Sequence, residues 1–320
     1  MSRVSRIART IRAFTRELSR PVSEHITNPA PQTRPRIGIA LGGGFARAVA
    51  HIGVLKALEE ENIPIDFVSG TSAGAVIGAG YCSRVSAAEL ESFAQQARFR
   101  DFARWTLSRF GVCSNDRMTR LLEKLVLARS FEDLKIPLAV SATDFASGEG
   151  VMFTAGPLLE AIRASCAYPG MFLPVSVGGK LFVDGLLGHP VPTKALRQMG
   201  AERVIAVYLN GHWVNSRGPR HVFEVLGQCF SIAQERMRAA WQAEADIVLE
   251  PDVAGFAYDG FEHSTELVRR GYEATRAAIP KIRSWIAASE PSQAPSLTPV
   301  MELATPLGGA PITAAPLIAK

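Results

Sequence analysis

Apolar residues fall along the chain in short blocks that predict alternating strands and helices. An apolar block at residues 36–41 precedes three glycines, and a second block at residues 66–69 precedes another glycine-rich turn. Apolar side chains at steps of three and four over residues 49–58 predict a helix between them, and small residues over 75–82 predict a closely packed helix after the second block. This order predicts an α/β fold, with a central, mostly parallel sheet and helices on both faces.

The later part of the chain continues this pattern and ends in a tail of different composition. Predicted helices cover residues 86–128 with a break near 111–114, then 158–165, 221–245 and 262–286. Predicted strands cover residues 136–143, 151–154, 181–183, 204–209 and 247–249. From residue 290 onward six prolines fall among 31 residues, which predicts disorder. We expect four parts: a basic arm with a proline-rich link over 1–35, a main domain over 36–209, its helical extension over 210–289, and the disordered tail over 290–320.

The arm carries the basic charge of the chain. Residues 1–36 hold eight arginines and two glutamates, a net charge of +6 within a total of +5, so the remaining 284 residues are near neutral. A basic amphipathic helix binds anionic membranes, and we expect peripheral membrane contact through residues 3–22. The alternatives are packing of this helix on its own domain or on a partner, and removal as a targeting peptide. The apolar residues that repeat at helical spacing are Val4, Ile7, Ile11, Phe14, Leu18 and Val22.

Composition and cysteine usage narrow the class of protein. Hydrophobic residues make up 47% and charged residues 20%, as in soluble globular proteins, and no apolar run reaches the roughly 18 residues of a membrane-spanning helix. The N-terminus has no apolar segment of a secretory signal. The four cysteines form no CxxC pair, which argues against a zinc site or disulfides. We expect a cytoplasmic protein, at most peripheral on the membrane, without metal, cofactor or nucleic-acid partner.

The first candidate for chemistry is the pattern Gly70-x-Ser72-x-Gly74, which lies between a predicted strand and a predicted helix. A sharp turn there exposes the serine hydroxyl at the positive end of a helix, as in the nucleophile of many hydrolases. An ordinary turn serine that caps a helix is the alternative.

The second candidate is the loop Gly42-Gly43-Gly44, which follows the first predicted strand. Its N–H groups can hold an anion, either a nucleotide phosphate or the oxyanion that forms when a serine attacks an ester. The loop lacks the GxGxxG pattern and the Lys-Ser/Thr of phosphate loops, which favours the oxyanion. Because the turns after consecutive parallel strands lie at one edge of the sheet, we expect Ser72 beside this loop.

The third candidate is Asp184-Gly185, at the end of a short predicted strand, where Asp184 could take the proton of a serine. A plain Asp-Gly turn is the alternative. A Ser-His-Asp hydrolase is the nearest rival among enzymes, although its serine turn normally follows more sheet than the two strands found here. Its candidate bases are His189, His212, His221 and His263.

Together the three motifs resemble the patatin-like phospholipase family, over residues 36–209 and more weakly to residue 280. The matching segments are residues 41–55 around the glycine loop, 70–75 at the serine turn, and 162–170, 183–185 and 190–192 around the aspartate. The resemblance implies a Ser–Asp dyad without a histidine base or a metal, and hydrolysis of lipid acyl esters such as phospholipids or lysophospholipids. It implies Ser72 as nucleophile, Asp184 as base, an oxyanion hole at Gly42, Gly43 and Gly44, and supporting roles for Arg47, Gly70, Gly74 and Gly185.

The chain departs from the family pattern at positions that flank the inferred site. Phe45 stands where a small residue is usual, and Leu186 where glycine or alanine is usual. Both side chains could narrow a pocket, so a non-catalytic lipid-binding or regulatory protein of the same fold is the alternative function. Nearby, Trp105 and Phe110 lie among arginines, where we expect a packed helix–loop corner, with a lid that touches lipid as the alternative.

Overall fold

The computed structural model of the chain describes residues 34–126, 128–209, 218–219 and 222–287. The predicted helix over residues 3–22 and the predicted tail over 290–320 lie outside the described residues. The strands are β1 Ile37–Leu41, β2 Phe67–Thr71, β3 Arg104–Ser108, β4 Gly111–Ser114, β5 Leu138–Asp144, β6 Gly150–Phe153, β7 Val175–Val177, β8 Lys180–Asp184, β9 Arg203–Val207 and β10 Ile247–Leu249. The α-helices are α1 Ala50–Glu60, α2 Ala73–Cys82, α3 Ala87–Gln96, α4 Phe99–Phe102, α5 Asp116–Leu125, α6 Leu158–Ser165, α7 Thr193–Met199, α8 Val222–Arg236, α9 Arg238–Gln242 and α10 Ser264–Ala287. Short 3₁₀ helices cover Phe45–Val49, Phe131–Asp133, Gly185–Leu187 and Phe261–His263.

The main sheet has the strand order β10-β9-β1-β2-β5-β8-β7, and β6 also pairs with β5. The five strands from β10 to β5 are parallel, whereas β6, β7 and β8 are antiparallel to their neighbours. The predicted mostly parallel sheet is therefore confirmed. Since β1 and β2 are parallel and Leu41 pairs with Gly70, the loops that follow them leave the same edge of the sheet.

Helices cover both faces of this sheet, as predicted. In β1, Ile39 and Leu41 pack in a large core with residues of α1, α2 and α10. The intervening Ala40 packs on the other face, in a smaller core that includes Leu196 of α7 and Trp241 of α9. This alternation follows from the two-residue period of a strand. Within the described ranges no helix is both long and apolar enough to span a bilayer.

The prediction of helix over residues 86–128 is wrong in its middle part. The segment contains α3, α4 and α5, but β3 and β4 form an antiparallel hairpin between them. The N–H groups of Val112 and Cys113 both donate to the carbonyl of Met171, and the N–H of Leu173 donates to the carbonyl of Cys113. The strand is thus fixed by a loop almost 60 residues away, which local periodicity cannot reveal. The predicted helix over 221–245 is also interrupted, because α8 ends at Arg236 and α9 begins at Arg238.

Helices α1 and α10 cross at two glycines. A Cβ atom added to Gly53 would lie 1.8 Å from the carbonyl oxygen of Val268, and one added to Gly271 would lie 1.8 Å from that of Ala50. We therefore expect Gly53→Ala to force the helices apart and to lower the free energy of unfolding by about 2–3 kcal/mol. Urea unfolding measures the loss, and Gly255→Ala, with open space around it, is the control. An unchanged midpoint for Gly53→Ala would contradict the close crossing.

Candidate active site

Ser72 lies in the sharp turn between β2 and α2. Its φ of 56° lies in the left-handed region, which costs a residue with a side chain about 1–3 kcal/mol. The turn is held by the Ser72 N–H, which donates to the Ser165 hydroxyl oxygen at 2.8 Å. The two glycines of the motif are required because the turn has no room for a side chain at either position. A Cβ on Gly70 would lie 2.6 Å from the Cα of Ala75, and one on Gly74 would lie 2.3 Å from the β1 backbone.

The glycine loop lies against Ser72, as the sheet topology predicts. A Cβ atom at Gly43 would lie 3.5 Å from the Cβ of Ser72. Among the described residues, the N–H groups of Gly43 and Gly44 donate to no backbone carbonyl, so they are available to an anion. Gly42 is different, since its N–H donates to the Val207 carbonyl at 3.1 Å. The Gly42 N–H is thus engaged within the described fold, whereas the next two N–H groups of the loop are not.

His51 anchors the glycine loop from inside the domain. Its ring is fully buried, and Nε2 lies 2.7 Å from the carbonyl oxygen of Gly42. A carbonyl oxygen only accepts, so Nε2 carries the proton and donates it. Burial lowers the pKa of His51 to about 4, and the ring is neutral at physiological pH. This hydrogen bond fixes the position of the glycine loop.

Asp184 ends β8 and is completely buried. Its Oδ1 accepts a hydrogen bond of 3.0 Å from the Leu186 N–H. Burial raises the pKa of Asp184 to about 7, against the opposing effects of hydrogen bonding with the Ser72 side chain and of the Leu186 N–H. Oδ2 is buried and makes no hydrogen bond of standard geometry to any described residue. The interaction between the Ser72 side chain and Asp184 therefore falls short of a hydrogen bond of standard geometry.

Hydroxyl side chains of two neighbouring strands hold the loop that carries Asp184, residues 184–192. Ser69 and Thr71 of β2 donate to the carbonyls of Pro192 and His189, at 2.9 and 2.6 Å. Thr143 of β5 donates to the Asp184 carbonyl at 2.9 Å. Sequence reasoning missed these residues. In the sequence, each of these two apolar strands contains a pair of hydroxyl residues two positions apart. This spacing places both side chains of a pair on the same face of the sheet.

Gly185 permits this close packing of the loop. A Cβ atom there would lie 2.2 Å from the Oγ of Ser141 and 2.5 Å from its carbonyl oxygen. The Asp-Gly turn of the sequence thus brings Asp184 onto the sheet next to β5, instead of closing a simple hairpin.

A profile described as patatin-like phospholipase matches residues 39–197, which include the glycine loop, Ser72 and Asp184. The chain belongs to the patatin-like phospholipase family. An uncharacterised NTE family protein of Mycobacterium tuberculosis is 38% identical over 183 residues, which are 55% of this chain and 50% of that protein. The chain thus spans about half the length of this mycobacterial relative.

Longer family members match over a smaller share of their own length. Lysophospholipase NTE1 of Mycosarcoma maydis is 30% identical over 227 residues, 68% of this chain and 12% of that protein. The neuropathy target esterase sws of Drosophila melanogaster is 32% identical over 182 residues, 53% of this chain and 13% of that protein. Among solved structures, VipD from Legionella pneumophila superposes with a TM-score of 0.56 at 13% identity, over 78% of this chain and 67% of VipD. This last likeness concerns the fold alone.

Two cavities meet at Ser72 in this patatin-like domain. A narrow cavity of about 90 Å³ is apolar; besides Ser72 its walls include Ile77, Leu90, Phe93 and Met118. A wider cavity of about 450 Å³ has mixed walls, with Gly43, Gly44, Arg47, Glu224 and Gln234 among them. The residues that line both cavities are Ser72, Phe45 and Tyr168.

Phe45, the bulky departure from the family pattern, lines both cavities. Its φ of 53° lies in the left-handed region. Its ring centroid lies 5.9 Å from that of Phe99 and 5.8 Å from that of Phe261. Phe261 lines the narrow cavity and Phe99 the wide one. The aromatic cluster therefore borders Ser72 without covering it, because Ser72 lines both spaces.

Arg47 is 3% exposed and lines the wide cavity. Its Nε donates to the Phe256 carbonyl at 2.8 Å, and its guanidinium lies 3.8 Å from the ring centroid of Tyr258. Burial lowers the pKa of Arg47, which stays far above neutral for a guanidinium. Its Nη1 makes no hydrogen bond to any residue that the structure describes. One buried N–H donor group of the cavity wall is thus available to an anionic ligand.

The histidines of the rival Ser-His-Asp hypothesis lie elsewhere, as far as the chain is described. The His189 ring abuts Gly150, where a Cβ would lie 2.6 Å from Nε2. His263 pairs with Glu262. Neither belongs to the walls of the two cavities. His212 and His221 lie outside the described residues.

Proposed function

We propose that the chain hydrolyses acyl esters of lipids, with phospholipids or lysophospholipids as the substrate class. The position of Ser72 carries the proposal: it lines two cavities of different polarity, beside the Gly43–Gly44 backbone and the buried Asp184. The names of the relatives, a lysophospholipase and a neuropathy target esterase, support the substrate class.

Acylation uses the three parts of this site together. Ser72 Oγ attacks the ester carbonyl carbon while the Asp184 carboxylate takes the hydroxyl proton. The N–H groups of Gly43 and Gly44 stabilise the oxyanion of the tetrahedral intermediate. Asp184 then gives its proton to the departing alcohol oxygen, and the acyl group remains as an ester on Ser72.

Deacylation repeats these steps with water as the nucleophile. Water attacks the acyl carbonyl, Asp184 takes one of its protons, and the proton passes to Ser72 Oγ as the fatty acid leaves. A base whose pKa lies at about 7 suits this exchange, since it accepts and returns a proton with little cost near neutral pH.

The scissile ester bond lies where the two cavities meet, and each cavity holds one half of the substrate. The acyl chain enters the narrow apolar cavity, because burial of methylene groups there is favourable by about 0.8 kcal/mol each. The alcohol half occupies the wider, mixed cavity. There the unpaired Nη1 of Arg47 suits the phosphate of a lipid.

Covalent labelling tests hydrolysis against the non-catalytic alternative. A fluorophosphonate probe is expected to add its mass to wild type and to Ser176→Ala, a variant of an exposed serine on β7, but not to Ser72→Ala. Labelling requires an activated serine. Lipid binding without any labelling of Ser72 would favour the lipid-binding protein and reject the hydrolase.

The arm is proposed to add membrane affinity. Deletion of residues 1–30 removes six arginines, each of which contributes about 1 kcal/mol near an anionic surface. We expect liposome co-sedimentation to fall, while hydrolysis of soluble p-nitrophenyl butyrate stays within twofold. Equal losses in both assays would mean that the arm supports the fold and not the docking.

A further inference from the structure

The β3–β4 hairpin lies outside the main sheet and exposes two aromatic side chains. Trp105 is 72% and Phe110 64% exposed. The guanidinium of Arg109 lies 4.9 Å from the ring centroid of Phe110, and Arg104 is half exposed. The predicted packed helix–loop corner is therefore wrong. Exposed apolar side chains mark an interaction surface when they form one patch with further apolar groups.

The hairpin stands at the opening of the wide cavity. Trp105 lines that cavity together with Ser72, yet most of its surface is exposed, so the cavity reaches the surface beside it. The Trp105 ring packs against Phe99, with centroids 6.3 Å apart, and Phe99 lines the same cavity.

Helix α8 flanks the same cavity and has an apolar outer face. Its inner side contributes cavity walls, and the wall residues are Phe223, Glu224, Ser231 and Gln234. Exposed apolar residues recur at steps of three and four on another side, and they are Val222, Val225, Cys229 and Ile232. We call these four the α8 stripe. A surface helix normally turns such a stripe toward its core.

The charge of the hairpin region indicates which kind of partner this surface binds. Residues 98–120, which include the hairpin, hold six arginines and two aspartates, a net charge of +4. The folded body as a whole is near neutral, so this segment is more basic than the rest of the domain, and Arg104 and Arg109 lie on the hairpin itself. Arginine attracts anionic lipid, and tryptophan prefers the boundary between head groups and acyl chains.

We propose that the β3–β4 hairpin and the α8 stripe dock the folded domain on an anionic lipid bilayer, with the opening of the wide cavity facing the membrane. This docking belongs to the body and does not need the arm. Entry of a lipid into the cavity rests on the proposed function, whereas docking itself can be measured without turnover.

The test uses the full chain and two readouts. Co-sedimentation with vesicles gives total binding, while a polarity-sensitive fluorophore on Cys229 reports whether the α8 stripe enters the bilayer. Labelling is selective because Cys82, Cys113 and Cys166 are buried. With an equal mixture of phosphatidylcholine and phosphatidylglycerol we expect binding and a blue-shifted emission, and with phosphatidylcholine alone much weaker signals.

Variants at the turn of the hairpin, which we call tip variants, locate the surface, since neither Arg109 nor Phe110 lines either of the two cavities described above. Arg109→Ala is expected to lower the partition coefficient about fivefold, and Phe110→Ser about tenfold. The matched controls are Arg84→Ala, at the far end of α2, and Phe145→Ser, which removes an equally exposed ring from the turn after β5. Both controls should bind like wild type. Thermal unfolding verifies that every variant is folded.

Several results would overturn the docking surface. Unchanged binding of both tip variants, an equal loss in Phe145→Ser, or co-sedimentation without a fluorescence shift would each reject it, the last by assigning binding to the arm. A concentration-dependent dimer that covers Cys229 would assign the α8 stripe to a second copy. If the wild-type protein hydrolyses the ester but does not dock on vesicles, the docking surface is rejected and the proposed function stands. If it docks but does not hydrolyse the ester, only the proposed function is rejected.

Discussion

Replacing Ser72 by alanine is expected to lower kcat for p-nitrophenyl butyrate by about 10³-fold or more, because the proposed mechanism forms its acyl-enzyme on the Ser72 hydroxyl. Asp184→Asn should lose a similar amount, since an amide cannot take the serine proton. The double variant should be no slower than either single variant, because the two side chains act in one step. Steady-state rates of the purified variants measure all three.

Two surface variants provide matched controls for these losses. Ser176→Ala removes an exposed hydroxyl from β7, and Asp252→Asn removes a carboxylate that is 73% exposed. Both should retain wild-type kcat. A Ser72→Ala protein that still turned over at a tenth of the wild-type rate would reject Ser72 as the nucleophile.

Asp184→Asn should also stabilise the fold, and more so at high pH. Burial raises the pKa of Asp184 to about 7 from a model-peptide value of 3.8. Between these values the folded chain keeps a proton that the unfolded chain has lost, so the stability contributed below pH 3.8 is lost as pH rises through 7. Asparagine cannot ionise, and the variant should gain on the order of a few kcal/mol over wild type at pH 8 relative to pH 4. Urea unfolding of both proteins at the two pH values measures this gain.

The same titration should shape activity. In the proposed mechanism only the ionised carboxylate takes the serine proton, so kcat/KM is expected to rise with pH and to level off above about 7. Asp252→Asn, a change at an exposed surface position, should keep the wild-type pH profile of kcat/KM. A pH-independent difference in stability between Asp184→Asn and wild type would mean that the buried carboxyl keeps an ordinary pKa.

The fold and the placement of Ser72 could be predicted because both depend on local pattern. Apolar blocks before glycine turns predict parallel strands, and parallel strands bring Gly43 and Ser72 to one edge. The GxSxG pattern is itself a local requirement, because the turn leaves no space for a side chain at Gly70 or Gly74. In such segments the residues that determine the structure are neighbours in the chain.

Features that depend on distant segments escaped prediction. Ser165 reaches Ser72 from 93 residues away, and the Gly42 N–H is engaged by Val207 of β9. The β3–β4 hairpin is fixed by backbone pairing with the loop at Met171, and its short strands carry no clear alternation. These interactions depend on tertiary packing between distant segments, and the local sequence pattern contains no sign of that packing.

Phe45 has a consequence for how this site can change over evolution. Its ring touches Phe261 in the wall of one cavity and Phe99 in the wall of the other. A substitution that enlarges either space shifts the shared ring, and with it the opposite wall. Under the proposed function, preference for an acyl chain and preference for an alcohol half are therefore coupled, and selection on one of them moves both.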